Sequence, residues 1–178
     1  SHMLGAVYGM ERIMGRDHSP VRKVFDYAET RLIKDMPLMY ILTVTTQTSD
    51  GICLHGLFTG RSRRIFEKAV QLSQQVNLIY LDKPLKKAVV YLDEREFKST
   101  WLGNKAIYRT RMAIADDGEL LILAPGVRKF GEDGENDRLI RRYGYAGRDR
   151  ILEKFQAEPE LKANASVAAH LIHGSSDG

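Results

Sequence analysis

The chain has 178 residues, of which 43% are hydrophobic and 28% charged, a balance that buries a sizeable core and excludes a disordered or fibrous protein. Lys+Arg 27 against Asp+Glu 23 leaves a net charge of +4, a milder excess than a dedicated nucleic-acid binder gathers on one face. The single cysteine, Cys53, excludes an internal disulfide and a Cys-rich zinc site and fits a reducing, cytoplasmic setting.

Ser1-His2-Met3 reads as the remnant of a cleaved expression tag and is left out of the fold reading. Residues 4–16 mix apolar and charged side chains and are expected as a strand and turn, or as a piece of something larger. Ser19-Pro20 then starts the first clear helix. Serine is a good N-cap, proline suits the first helical position, and Val21, Val24, Phe25, Ala28 and Leu32 follow helical spacing. Pro37 is expected to end it. Leu38–Thr46 is rich in branched residues and predicts a strand. Ser49-Asp50-Gly51 is a turn signal, and Gly51–Phe58 predicts the strand paired with the first.

After Gly60, Ser62 is placed to cap a helix carrying Ile65, Ala69, Leu72 and Val76 on one face. Asn77–Leu81 and Ala88–Leu92 are strand-length apolar runs joined by a turn at Asp82-Lys83-Pro84. Residues 104–115 predict a helix that Asp116-Asp117-Gly118 stops, and Glu119–Leu123 predicts another strand. A polar loop runs from Pro125-Gly126 to about Gly134. Helical segments follow near 136–143, 148–156 and 160–172. Largely alternating strands and helices predict an α/β fold with helices packed on a sheet, and the opening hairpin makes that sheet mixed. Residues 4–178 are expected to form a single domain. No apolar stretch approaches the roughly 18 residues that span a bilayer, so no membrane partner is expected.

The segment 98–111 is the main candidate for chemistry. It holds the only tryptophan, Trp101, with Lys98, Lys105, Arg109 and Arg111 and no acid. It follows a strand and leads into a helix, the junction where ligands bind in open α/β sheets. Lysine and arginine there supply charge-assisted hydrogen bonds to a small carboxylate or phosphate. The same residues also suit a solvated basic helix face packed by Trp101, Ile107 and Tyr108. Phe130-Gly131-Glu132-Asp133-Gly134 could line the same mouth, with its acids as metal ligands or a base, but such loops more often cap the next helix.

Other residues read as structural. His170 and His173 are three apart and are taken as ordinary surface or C-terminal histidines rather than ligands; His18 precedes an N-cap, and His55 lies in a strand. No metal ligand is assigned. Cys53 reads as a small apolar core residue. Arg61-Ser62-Arg63-Arg64 could meet phosphates or a partner domain. Arg138, Arg141, Arg142, Arg148 and Arg150, interleaved with Tyr143 and Tyr145, could meet RNA. Asp137, Asp149 and Glu153 among them favour a salt-bridged solvated face, so nucleic acid is not an expected partner. Nucleophile-elbow, P-loop and dinucleotide signatures are missing.

Ser19-Pro20-Val21, Tyr40–Thr45, Gly56-Leu57-Phe58-Thr59-Gly60, Lys98–Arg111 and Gly118–Pro125, in this order, resemble the nickel-dependent lactate racemase family. The resemblance spans most of residues 17–173, and the family's Tyr-Gln-x-x-Lys segment falls on Trp101, Leu102, Gly103, Asn104 and Lys105. It implies that Lys105 holds the carboxylate of a small hydroxy-acid substrate and is the residue that serves catalysis. Trp101, Asn104, Tyr108, Arg109 and Arg111 complete the implied substrate-binding set. Trp101 and Leu102 replace the family's tyrosine and glutamine, which implies a larger acid than lactate, such as a sugar acid, with Arg109 and Arg111 serving its extra oxygens. The resemblance further implies a racemase or epimerase using a nickel pincer nucleotide. The covalent lysine and the histidines of that cofactor belong to the family's N-terminal part and have no counterpart placed here. This chain is therefore expected to be the C-terminal region, inactive alone, partnered by the N-terminal catalytic domain of the same polypeptide. A non-enzymatic domain that binds an anion or RNA is the alternative.

Overall fold

A computed structural model describes residues 2–175. The fold is α/β, and the residues gather into two compact units where the sequence predicts one domain over 4–178. One unit comprises Ile13–Tyr80; the other joins the residues up to Arg12 with those from Leu81 onward. No helix among the described residues is long and apolar enough to cross a membrane.

In the unit Ile13–Tyr80, helix α2 (Pro20–Arg31) follows α1 (His2–Tyr8) of the other unit in chain order. Ser19 caps α2 as its sequence predicts, its Oγ accepting from Arg22 N at 3.1 Å. The helix stops well before Pro37. Arg61 takes over the chain there, donating to the carbonyls of Ile33, Lys34 and Met36 at 2.8, 2.7 and 2.7 Å, so these residues need no helical partner. Strands β1 (Tyr40–Thr48) and β2 (Gly51–Gly60) pair antiparallel from Tyr40↔Gly60 to Thr48↔Gly51. The register shifts between Val44 and Thr45, so His55 is the extra residue of a bulge. Helix α3 (Arg63–Asn77) lies close on one face of this hairpin. A Cβ at Gly56 would come within 2.6 Å of Leu72, so only glycine admits the helix this near. Ala69 and Val44 are buried between the two layers.

Among the described residues no further layer covers the hairpin tip, where Thr48, Ser49 and Asp50 are exposed. Cys53 is therefore exposed, against its reading as a core residue. Asn77–Leu81, expected as a strand, is irregular, with Ile79 and Tyr80 exposed. Among the described residues no strand pairs with it to take up its backbone hydrogen bonds, and a strand does not exist without that partner.

In the other unit, residues 4–12 form α1 and a 3-10 turn (Met10–Arg12) rather than a strand. Gly5 lies against His173, which lets α1 pack closely on the last helix. Strands β3 (Leu85–Tyr91) and β4 (Ile114–Leu123) pair parallel, Lys87 opposite Glu119 and Tyr91 opposite Leu123. A parallel pair needs a crossover, and here it carries two short helices, α4 (Thr100–Gly103) and α5 (Lys105–Thr110), where a single helix over 104–115 is expected. Asp116-Asp117-Gly118 does not stop a helix but forms an irregularity inside β4, Asp117 taking a φ of 60°. Parallel and antiparallel pairing thus both occur, in separate two-stranded sheets.

Helices α6 (Gly134–Tyr143), α7 (Arg148–Ala157), α8 (Pro159–Ala163) and α9 (Ala165–His173) complete the unit. The sequence predicts one helix over 160–172. Asn164 divides it, its Oδ1 accepting from Val167 N at 3.3 Å and so capping α9 anew. The core is the fully buried set Leu139, Ile151, Leu161, Val167 and Leu171, joined by Ala6 of α1. Helix α9 is buried on nearly every face, as a helix apolar all round must be. The candidate site rests on it.

Candidate functional site

Helix α4 is fixed before it contributes any function. Ser99 is fully buried and caps it, its Oγ accepting from Leu102 N at 3.3 Å and donating to the Glu132 carboxylate. The backbone N–H groups of Thr100 and Trp101 donate to the carbonyls of Lys129 and Phe130 at 3.1 and 2.9 Å. The loop 130–134 is thereby a clamp on α4 and a cap for α6, where Asp133 accepts from Asn136 N at 2.8 Å. Asp137 accepts from the Arg141 guanidinium and from the N–H groups of Phe130 and Gly131. These donors hold its carboxyl down at about 2. The acids of this segment are engaged in holding the fold.

From that anchored start, α4 and α5 turn Trp101, Leu102, Asn104, Lys105 and Tyr108 toward α9, where Ser166, His170 and His173 complete a pocket of about 370 Å³. That volume is in the range of small-molecule sites. His2 is also among the lining residues. Among the described lining residues Lys105 is the one side chain with a permanent charge, and no carboxylate faces it.

His170 organises the wall behind Lys105. Its ring stacks on Trp101, centroids 4.5 Å apart and planes 22° from parallel. Its Nε2 lies 2.9 Å from Tyr145 OH and 3.4 Å from Asn104 Nδ2. An amide nitrogen only donates, so Nε2 is the acceptor and the proton sits on Nδ1. Burial, with smaller contributions from His173 and His2, pushes His170 down to about 4. The imidazole is therefore neutral at neutral pH, as the two donors require. Tyr145 OH also lies 2.7 Å from Thr100 Oγ1, which ties the network back to α4. Burial raises the Tyr145 phenol, so it too stays a protonated donor.

Gly174 makes the network possible. A Cβ there would come within 2.1 Å of Asn104 Nδ2 and 2.5 Å of the Tyr145 ring. His173 is likewise shifted down by burial, and its Nε2 meets the carbonyl of His2 at 2.8 Å. Both histidines are thus buried parts of the pocket, against the sequence reading of them as surface residues. Their helix is wrapped by α1 and α7, which sequence periodicity does not reveal.

The structure brings Trp101, Asn104, Lys105 and Tyr108 together. It does not bring Arg109 and Arg111 to them. Arg109 is exposed, and Arg111 donates to the carbonyl of Ser175 at 2.8 Å. Four of the five arginines of α6 and α7 are ion-paired: Arg138 with Glu135 and Glu160, Arg141 with Asp137, Arg142 with Glu160, and Arg148 with Asp149; Arg150 is exposed.

One ligand-type cluster was not legible in the sequence. Asp17, His18 and Glu67 place donor atoms within 4.8 Å of one another. Glu67 lies 49 positions from His18, so no local spacing announces it. Arg63 already holds Glu67, Nε to Oε1 at 3.3 Å, and a guanidinium at that distance opposes a cation.

No family model matches the chain, and no curated protein sequence matches it. Among solved structures, a protein from Thermotoga maritima, determined by crystallography in a structural genomics programme, superposes with a TM-score of 0.77 at 25% identity. The match covers 94% of this chain and 41% of that one, so this chain spans less than half the length of the protein it resembles.

Proposed function

We propose that the pocket beside Lys105 holds the carboxylate of a 2-hydroxy acid or sugar acid, and that the chain is the C-terminal region of a lactate-racemase-like racemase or epimerase. The observation that carries this reading is the charge of the pocket: one lysine, no opposing carboxylate, and a neutral aromatic and amide wall. An ammonium on a pocket wall without a counter-ion favours a monoanion. The reading is supported by the fold's occurrence within a chain more than twice as long, where the remaining groups would reside.

In this reading Lys105 anchors the carboxylate and so fixes the hydroxyl-bearing carbon in one place, a contribution from positioning. Trp101 offers a flat face to the body of the acid, and its stacking on His170 keeps that face from turning. Asn104, Tyr108 and Ser166 supply neutral hydrogen-bonding groups for hydroxyls. The nickel pincer nucleotide implied by the resemblance needs a lysine for covalent attachment with a free histidine beside it. The histidine stacked on Trp101 does not fit that group: His170 Nε2 is taken by Tyr145 and Asn104, and its Nδ1 carries the proton. The cofactor and the acid and base of the reaction therefore belong to the N-terminal part of the same polypeptide.

The test is the natural full-length polypeptide, loaded with the nickel cofactor and incubated with a panel of 2-hydroxy acids and sugar acids. Inversion at the hydroxyl-bearing carbon, followed by NMR and lost without nickel, is the expected result. A loaded protein that binds these acids through Lys105 but inverts none of them would place the chain in a non-enzymatic anion-binding protein.

A further inference from the structure

The hairpin of β1 and β2 has two unlike faces. One carries α3, with Val44 and Ala69 buried between them. The opposite face is built from the cross-strand pairs Ile41↔Thr59, Thr43↔Leu57, Thr45↔Leu54 and Gln47↔Ile52, and every residue of these pairs is exposed. Ile41, Ile52, Leu54 and Leu57 are 64, 76, 58 and 59% exposed. An antiparallel pair with one face in water alternates apolar inside with polar outside. Here the outer face has a large aliphatic in every pair, the mark of an interaction surface.

The arrangement within the face says what covers it. Ile52, Leu54 and Leu57 all stand on β2 and form a ridge along that strand. Their partners on β1 include Thr43 and Thr45, which leave a shallow trough beside the ridge. A ridge next to a trough fits its own copy. Turning a second hairpin over about a two-fold axis parallel to the strands seats each ridge in the other's trough. Leu57 then lies over Thr43, Leu54 over Thr45, and Thr59 over Ile41. Large meets small, and each contact occurs twice, as a two-fold interface requires. Charge agrees with shape. Neither Tyr40–Thr48 nor Gly51–Gly60 contains Asp, Glu, Lys or Arg, so identical faces do not repel, and nothing on the face selects a charged peptide or a nucleic acid. The face offers on the order of 600 Å² per copy, which reaches the lower end of specific interfaces, about 1,200 Å² in total.

We infer that this face is a homodimer interface, in which the hairpins of two copies stack ridge in trough with α3 outermost on each side. It lies within the unit Ile13–Tyr80 and is independent of the function proposed for the Lys105 pocket.

The test follows the whole chain by sedimentation equilibrium over a concentration series. Reductant is present, so that exposed Cys53 cannot link copies. A monomer–dimer equilibrium is expected, with the 15N amide signals of Ile41, Thr43, Leu54 and Leu57 shifting on dilution. Thr43→Leu sets large against large, and Leu57→Thr sets small against small. Each should weaken the dimer about tenfold or more, with the circular dichroism of the monomer retained because both positions are exposed. Combining Thr43→Leu with Leu57→Thr restores large against small and should recover most of the lost affinity. A chain that stays monomeric throughout overturns the inference, whatever else covers the face. So does a dimer that Thr43→Leu strengthens or leaves unchanged, or a double variant that associates no better than the single ones.

Discussion

The indole of Trp101 lies flat on the imidazole of His170, 4.5 Å between centroids, and links the first turn of α4 to the buried helix α9. Sixty-nine positions separate the two residues in the chain. The contact exists because α9 is buried from Val167 to His173 and because the loop at Phe130 pins α4 in place. It sets the orientation of the wall against which Lys105 works.

Lys105→Ala should remove the anchor for the carboxylate. In the racemase or epimerase proposed above, KM should rise and kcat/KM fall by roughly tenfold to a hundredfold, the worth of one charge-assisted hydrogen bond. Lys105→Arg keeps the charge but not the point geometry and should recover only part of it. Steady-state kinetics on a substrate found by NMR measures both.

The neutral state of His170 gives a pH dependence with a defined sign. Its folded value, about 4, lies below its ordinary value of 6.5, so the unfolded chain binds more protons between those values. Stability should be complete above about pH 6.5 and should decline as pH falls toward 4, by an amount on the order of 3 kcal/mol at most. Urea unfolding of the protein and of His170→Gln across this range tests it. The variant should be less stable at pH 7 and show a flatter profile.

Gly174→Ala should be destabilising although glycine is not required there by backbone angle, since φ is −85°. The added methyl would overlap Asn104 and Tyr145. Both would shift, at a cost of about 1–3 kcal/mol. Tryptophan fluorescence should change together with stability, because Trp101 reports on the same wall. A variant with normal stability and an unchanged spectrum would show that the wall tolerates the movement.

Cys53 should react with a thiol reagent such as DTNB in the native protein. It is exposed on β2 near the uncovered hairpin tip. A reaction seen only after denaturant is added would place it in a core.

Local signals were well legible. Ser19-Pro20 marks the start of α2, Ser49-Asp50-Gly51 the hairpin turn, and the spacing of Ile65, Ala69 and Leu72 the buried face of α3. Failures came where distant residues decide. Asn77–Leu81 has strand composition but lacks a neighbouring strand. Asn164 breaks a continuous helical pattern by capping its second half. The histidines of α9 looked peripheral because they end the last helix, and only packing by α1 and α7 reveals that they are buried. Within the site, Trp101, Asn104, Lys105 and Tyr108 could be grouped from sequence because they share one local segment. Tyr145, Thr100 and Gly174 could not, since their contact with that segment is tertiary.

The central claim is that Lys105 and its pocket receive a hydroxy-acid carboxylate. It is tested most directly by titrating the 15N-labelled chain with lactate and with gluconate, and repeating both titrations on Lys105→Ala. Saturable shifts at Trp101, Lys105 and Ser166, including the indole N–H of Trp101, with gluconate binding more tightly than lactate and both lost in the variant, are the predicted result. Shifts that do not saturate, or that persist unchanged without Lys105, would contradict the account.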